Sequence, residues 1–160
     1  MALTSLQRGM KCCQNRQTYV SLVSGTYTSV KSVVALRHFL SDITMGRTVE
    51  LRIEPGVPEE VQLDPFLFDL IFDSAICNAM KHGCPRGPNV CLIAKRGPNG
   101  STAIQVTNVA APKSRPLSAE YVESMFSGQG RHMHRRSNNL LSSGIGLQHT
   151  RRAALAAGHS

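Results

Sequence analysis

The chain has 160 residues, of which 41% are hydrophobic and 18% charged, and this is enough to bury the core of one globular domain. Its apolar stretches are shorter than the ~20 residues of a membrane span, and five Cys without a C-x-x-C pair exclude a complete disulfide framework. The net charge of +8 indicates either an anionic partner or an ordinary basic surface.

The first third of the chain predicts an extension, one helix and one strand. Residues 1–18 are polar and unpatterned, and we expect residues 1–27 to be an extension, either loose or the end of an upstream helical segment. Residues 29–42 carry apolar side chains at the spacing of an amphipathic helix. These side chains are Val33, Leu36, Leu40 and, just beyond, Ile43. Residues 49–55 alternate between apolar and polar, which predicts a half-buried strand followed by a Pro/Glu-rich turn.

A longer helix is predicted over residues 65–82. Asp64 is typical of an N-cap, Pro65 of a first helical position, and Gly83 of a helix end. One face of this helix is apolar. It consists of Phe68, Phe72, Ala75, Ile76 and Ala79. A second face is polar and consists of Ser74, Asn78, Lys81 and His82.

The second half of the chain predicts a hairpin, a long connection and a final helix. The runs NVCLIAKRG and STAIQVTNVA are separated by Pro98, Asn99 and Gly100, a strong hairpin signal. Residues 111–143 are mostly irregular, with one short helical piece at 119–126. A connection of this length inside a compact domain usually has a function, such as that of a lid. The final helix is expected over residues 146–157.

The polar face of the helix at 65–82 combines groups suited to a metal ion and a phosphate. The carboxamide oxygen of Asn78 is a hard, neutral ligand suited to Mg²⁺. Lys81 could neutralise phosphate oxygens, and the ring of His82 could stack on a base or form a hydrogen bond. The alternative is a plain helix end, because cations are favoured in the last turn of a helix.

The run SSGIGL at residues 142–147 is suited to a phosphate. Gly144 and Gly146 allow close backbone approach, and the helix that follows directs unpaired N–H groups and the positive end of its dipole at the same place. A structural turn that only begins the helix is the alternative interpretation.

Taken in order, these motifs resemble the ATP-binding domain of sensor histidine kinases. That domain belongs to the ATPase superfamily of gyrase, heat-shock protein 90 and the MutL proteins. The resemblance covers roughly residues 28–158. It rests on Asn-Ala-Met-Lys-His-Gly on a helix, the hairpin, a lid-like loop with Glu-Ser-Met-Phe at 123–126, and Ser-Gly-Ile-Gly-Leu opening a helix. It implies a two-layer α/β sandwich, in which about three helices cover one face of a mixed, mainly antiparallel sheet.

The resemblance also implies ATP and Mg²⁺ as cofactors and assigns roles to single residues. Asn78 would bind Mg²⁺, Lys81 would contact phosphate and His82 would flank the nucleotide. Ser74 would occupy the position of the family's second Asn or acid, and together with Asn78 and Lys81 it would form the catalytic set. Asn108 would accept a hydrogen bond from the adenine amino group. The other nucleotide contacts would come from the loops and the lid, at Ala110, Phe126, Ser143, Gly144, Ile145, Gly146 and Leu147.

Three departures from the family pattern bear on activity. Ser74 stands where the family has a second Asn or an acid, and a hydroxyl is a poor general base. Residues 108–112 correspond to Asp-x-Gly-x-Gly, but Ala110 and Pro112 replace the glycines and stiffen the segment. The family has two further strands after the position of Ser160, so we expect a C-terminally truncated domain.

Three functions follow from these observations. The first is an ATP- and Mg²⁺-binding domain that phosphorylates a histidine on a dimerisation segment or a partner kinase chain, upstream of a response regulator. The second is a catalytically impaired signalling module of the same fold that acts through protein contacts. A nucleic-acid-binding protein is disfavoured because Tyr121 and Phe126 are the only aromatic residues after residue 72. The cysteine pattern favours a reducing compartment, and we expect the cytoplasm.

Overall fold

The computed structural model describes residues 2–112, 118–120, 123 and 146–158. In chain order the elements are α1 (Ala2–Ser24), β1 (Ser32–Ala35), α2 (Leu36–Thr44), β2 (Val49–Ile53), β3 (Glu60–Leu63), α3 (Pro65–His82), β4 (Val90–Arg96), β5 (Thr102–Thr107) and α4 (Gly146–Ala156). A short 3-10 turn, Pro98–Gly100, joins β4 to β5.

The strands of the described residues form two sheets. The larger sheet has the order β2-β4-β5, in which β2 is parallel to β4 and β4 is antiparallel to β5. The smaller sheet is the antiparallel pair of β1 and β3. Together with the helices they give the predicted two-layer α/β sandwich with a mixed sheet.

Two helices cover one face of the larger sheet. Because side chains alternate along a strand, β2 directs Val49, Leu51 and Ile53 inward, while Glu50 and Arg52 lie exposed and hydrogen-bonded to each other. The buried residues of this core come from α2, α3 and β4. They are Leu36, Leu40, Ile43, Phe72, Ile76, Leu92 and Ala94.

A second core joins α3 to the helices at the two ends of the chain. Its buried residues are Leu67 and Leu70 of α3, with Ala153 and the adjoining Ala157 from the α4 end. Two partly buried residues of α1, Tyr19 and Leu22, pack against it. The small alanine side chains allow α4 to approach α3 closely. Because α3 contributes to both cores, it lies between the larger sheet on one side and α1 and α4 on the other.

Most of the predicted elements are confirmed. Helix α3 has the predicted bounds, the hairpin is formed by β4 and β5, and α4 lies within one residue of its predicted range. Residues 119, 120 and 123, within the predicted short helix at 119–126, are helical.

The prediction for residues 29–42 is wrong in its first part. Residues Ser32–Ala35 form β1, where Val33 is 63% exposed and lies opposite Gln62 of β3. The helix begins only at Leu36, and from there the predicted apolar positions are buried. Part of the predicted Pro/Glu-rich turn is β3. Of the two alternatives for residues 1–27, the helical one fits the structure, because residues 2–24 are a helix.

Among the helices of the described residues, none has both the length and the apolar character needed to cross a bilayer.

Candidate functional site

A buried carboxylate fixes the start of the helix that carries the candidate site. Asp64 is 1% exposed and caps α3, accepting hydrogen bonds from the backbone N–H groups of Phe66 (3.1 Å) and Leu67 (3.2 Å). The Tyr27 hydroxyl donates to the same carboxylate at 2.9 Å, and burial together with this bond raises the pKa of Tyr27. The start of α3 is therefore hydrogen-bonded to the segment that follows α1.

The second half of α3 carries the predicted polar face. Ser74 and Asn78 are partly buried, whereas Lys81 and His82 are exposed in the last turn. None of these four side chains forms a hydrogen bond to another residue in the part of the chain that the structure describes. Within the described residues, their polar atoms therefore have no side-chain or backbone partner.

The segment after β5 docks against the C-terminal end of α3. The Cys84 N–H donates to the carbonyl oxygen of Val109 (2.8 Å), and the Val109 N–H donates to that of Pro88 (2.7 Å). Gly83 and Ala110 form an isolated antiparallel bridge. The structure therefore brings the end of the predicted polar helix next to Ala110, one of the predicted nucleotide-binding residues.

Asn108 lies in this docked segment and is exposed. Its side-chain Nδ2 donates a hydrogen bond to the carbonyl oxygen of Val109 at 3.2 Å, so its own amide oxygen remains an available acceptor. The same Nδ2 would lie 2.9 Å from a Cβ placed on Gly83. Glycine at this position is what allows the two segments to approach.

Of the glycine motif at 142–147, only Gly146 and Leu147 lie within the described residues. Gly146 is the first residue of α4 and Leu147 the second. Phe126, Ser143, Gly144 and Ile145 lie outside the described residues. The helix that begins at Gly146, α4, packs against α3, which carries Asn78.

Asp73, the residue before Ser74, does not take the place of the acid that the resemblance leads one to expect at position 74. Asp73 forms an ion pair with Arg47, and it lies about 140° around the helix from Asn78. Burial and the charge of Asp73 raise the pKa of the nearby Cys77 thiol, which is neutral at pH 7. The predicted residues Ser74 and Asn78 therefore share a face with no carboxylate from their own helix.

The donor set around Asn78 fits a magnesium ion that is held mainly by phosphate. In the ranges given above, no group of three His, Cys, Asp or Glu side chains could hold a metal ion. A single protein amide is nevertheless consistent with Mg²⁺, which keeps several waters and takes other ligands from substrate phosphates.

No protein-family model matches the chain, and no curated protein matches it significantly.

Proposed function

We propose that this chain is an ATP- and Mg²⁺-binding domain of the histidine-kinase type, which supplies a phosphoryl group to a histidine on another segment or chain. The docking of the Asn108 segment against the Gly83 end of α3 is the observation that carries this proposal. It unites two motifs that are 25 residues apart in the chain and that the family uses for one nucleotide.

Each residue has a defined task in the proposed site. Asn78 offers an amide oxygen to Mg²⁺, and Lys81 offers a point charge to the phosphates. Bound Mg²⁺ would neutralise the charge that develops on the phosphoryl group. Asn108 offers its amide oxygen to the amino group of the base. The thiols of Cys13, Cys77, Cys84 and Cys91 are free, which supports a reducing compartment such as the cytoplasm.

A titration with a non-hydrolysable ATP analogue tests this function. We expect calorimetric binding that requires Mg²⁺, and Asn78→Ala should weaken it roughly tenfold, or about 1.4 kcal/mol. Lys81→Ala should weaken it to a similar extent, whereas Lys31→Ala, at an exposed position before β1, should leave it unchanged. Absence of binding at millimolar analogue, or binding independent of both Mg²⁺ and Asn78, would refute the proposal.

A catalytically impaired signalling module is the second candidate, and the environment of Ser74 favours it. Because Asp73 is paired with Arg47, the described part of the polar face offers no carboxylate to act as a base. Such a module would bind nucleotide without efficient turnover. Single-turnover transfer of labelled phosphate to a separate histidine-bearing segment distinguishes the two candidates, since only the first predicts a labelled acceptor.

A further inference from the structure

A groove of about 630 Å³ lies between α1, α2 and the first half of α3. Its volume falls within the range of roughly 300–1,000 Å³ that is typical of small-molecule sites. The α3 residues that line it are Pro65, Phe66, Asp69 and Asp73, all of which precede the polar face that begins at Ser74. The groove is therefore lined by a different part of α3 from the one that carries Ser74 and Asn78.

Two ion pairs form the floor of the groove. Arg47 pairs with Asp73, and Lys11 Nζ lies 2.6 Å from Oδ1 of Asp69. Asp69 is only 8% exposed, and its carboxylate also accepts a hydrogen bond from the side chain of Asn15, which lines the same groove. Burial raises the pKa of Asp69, and Lys11 offsets this only in part.

The charges that line the groove do not balance. Its third carboxylate is Asp42 of α2, so Asp42, Asp69 and Asp73 face two cations. Both cations are already paired, and the nearest charge partner of Asp42 is His38 at 3.6 Å, a contact between two exposed side chains. The lining thus carries one negative charge in excess, which favours a cationic ligand.

The rim of the groove is apolar. Met10 lies in α1, Met45 directly follows α2 and Phe66 lies in α3, and they are 59%, 49% and 54% exposed. Large apolar side chains that converge on one opening are typical of a binding site. Flexible methionine side chains can adapt to ligands of different shape.

We propose that this groove binds a small amphipathic cation, a protonated amine carried on an aromatic or aliphatic body. The ammonium group has three donors and would bind the carboxylate of Asp42, which has no Lys or Arg partner among the described residues, and share the carboxylate of Asp69 with Lys11. The apolar body would cover Phe66 and the two methionines. None of the residues assigned to ATP or Mg²⁺ that the structure describes lines the groove, so we expect the amine to bind without nucleotide.

Binding of 2-phenylethylamine to the full chain, measured by calorimetry, tests the proposal. We expect the amine to bind at least tenfold more tightly than 2-phenylethanol, its neutral counterpart, and phenylacetate, its anionic counterpart. Asp42→Asn and Asp69→Asn should each weaken amine binding about tenfold. Glu60→Gln removes an exposed carboxylate of β3 away from the groove and should have no effect.

Equal binding of the amine and the alcohol would overturn the proposal, as would amine binding that both Asp variants leave unchanged. Absence of binding at millimolar amine would also overturn it. If Asp69→Asn fails to fold, Asp42→Asn carries the test, because Asp42 is exposed and lies outside the core. The result is separable from that for the nucleotide site, since neither Asp42 nor Asp69 has a role there.

Discussion

At the scale of single residues, Asp64 joins parts of the chain that are far apart in sequence. Its carboxylate accepts from the Tyr27 and Ser29 hydroxyls and from the backbone N–H of Val30, in addition to the two N–H groups at the start of α3. A buried carboxylate is stable only when donors surround it. Here the donors come from both the linker after α1 and the first turn of α3, so the charge fixes one segment against the other.

Removing this carboxylate should destabilise the whole fold. We expect Asp64→Ala to lower the free energy of unfolding by about 3 kcal/mol, because it removes the cap and leaves buried donors without an acceptor. Tyr27→Phe removes one donor and should cost about 1 kcal/mol. Urea unfolding followed by circular dichroism measures both values, with exposed Lys31→Ala as the control. A wild-type midpoint for Tyr27→Phe would show that its hydrogen bond contributes nothing.

Asp69 should give the chain a distinct dependence on pH. Its native pKa is raised by burial above the ordinary 3.8, so the native state binds a proton more tightly than the unfolded chain. The contribution of Asp69 to the free energy of unfolding is greatest below pH 3.8 and is lost as pH rises through the native pKa. We therefore expect the stability of wild type relative to Asp69→Asn to fall between pH 3 and pH 7. Urea midpoints across that range test the sign, and a relative stability that rises with pH would contradict it.

At the scale of elements, the contact between the end of α3 and the segment after β5 shapes the candidate site. A Cβ on Gly83 would lie 2.6 Å from Cβ of Pro88 and 2.7 Å from the carbonyl oxygen of Ala79. Neither neighbour can move without displacing backbone. Gly83 is therefore required by close packing, since its own φ of −74° is one that any residue adopts.

Gly83→Ala should loosen this contact. We expect a loss of about 1–3 kcal/mol of stability from overpacking. Faster hydrogen exchange at the Val109 amide should accompany it, because the bond to Pro88 would lengthen. Gly87→Ala is the matched control, since a Cβ there would meet only Asn89 Oδ1 at 3.5 Å. Equal stability of the two variants would show that the contact tolerates the extra methyl group.

The sequence predicts elements well where local signals agree. Helix α3 has an N-cap, a first-turn proline, an apolar face and a terminating glycine, and its bounds are those predicted. Strands β1 and β3 have four residues each and pair across 25 or more residues, so no local period identifies them. Helix α1 is predicted only as one of two alternatives for residues 1–27, and the reason is a different one. Its side facing α3 includes Lys11, Asn15 and Thr18, which are polar and leave no apolar stripe.

The candidate site was predictable in part, for similar reasons. Helix periodicity predicts that one polar face carries Asn78, Lys81 and His82. The structure places the end of this helix beside Ala110. No local pattern indicates a role for Arg47, because its partner Asp73 is 26 residues away. The groove has no local signal in the sequence either, because its lining comes from α1, from α2 and the residues after it, and from α3, and it exists only after packing.

At the scale of the whole molecule, α3 couples the two cores. Phe68 and Ile71 pack against the sheet core and also against the helical core. Leu67 and Phe72, which are close in sequence, are buried in different cores. A helix that contributes to both cores cannot lose one without disturbing the other, so the described part of the chain should unfold as one cooperative unit.

Cavities in the two cores should therefore have the same consequence. Leu67 lies in the helical core and Leu92 in the sheet core, and both are fully buried. We expect Leu67→Ala and Leu92→Ala each to cost about 2–5 kcal/mol. Each should also shift a single transition, followed both by the near-ultraviolet signal of the tyrosines and by exchange of the β4 amides. If Leu67→Ala shifted the tyrosine signal while the β4 amides kept wild-type protection, the cores would be independent. The position of α3 would then not couple α1 to the sheet.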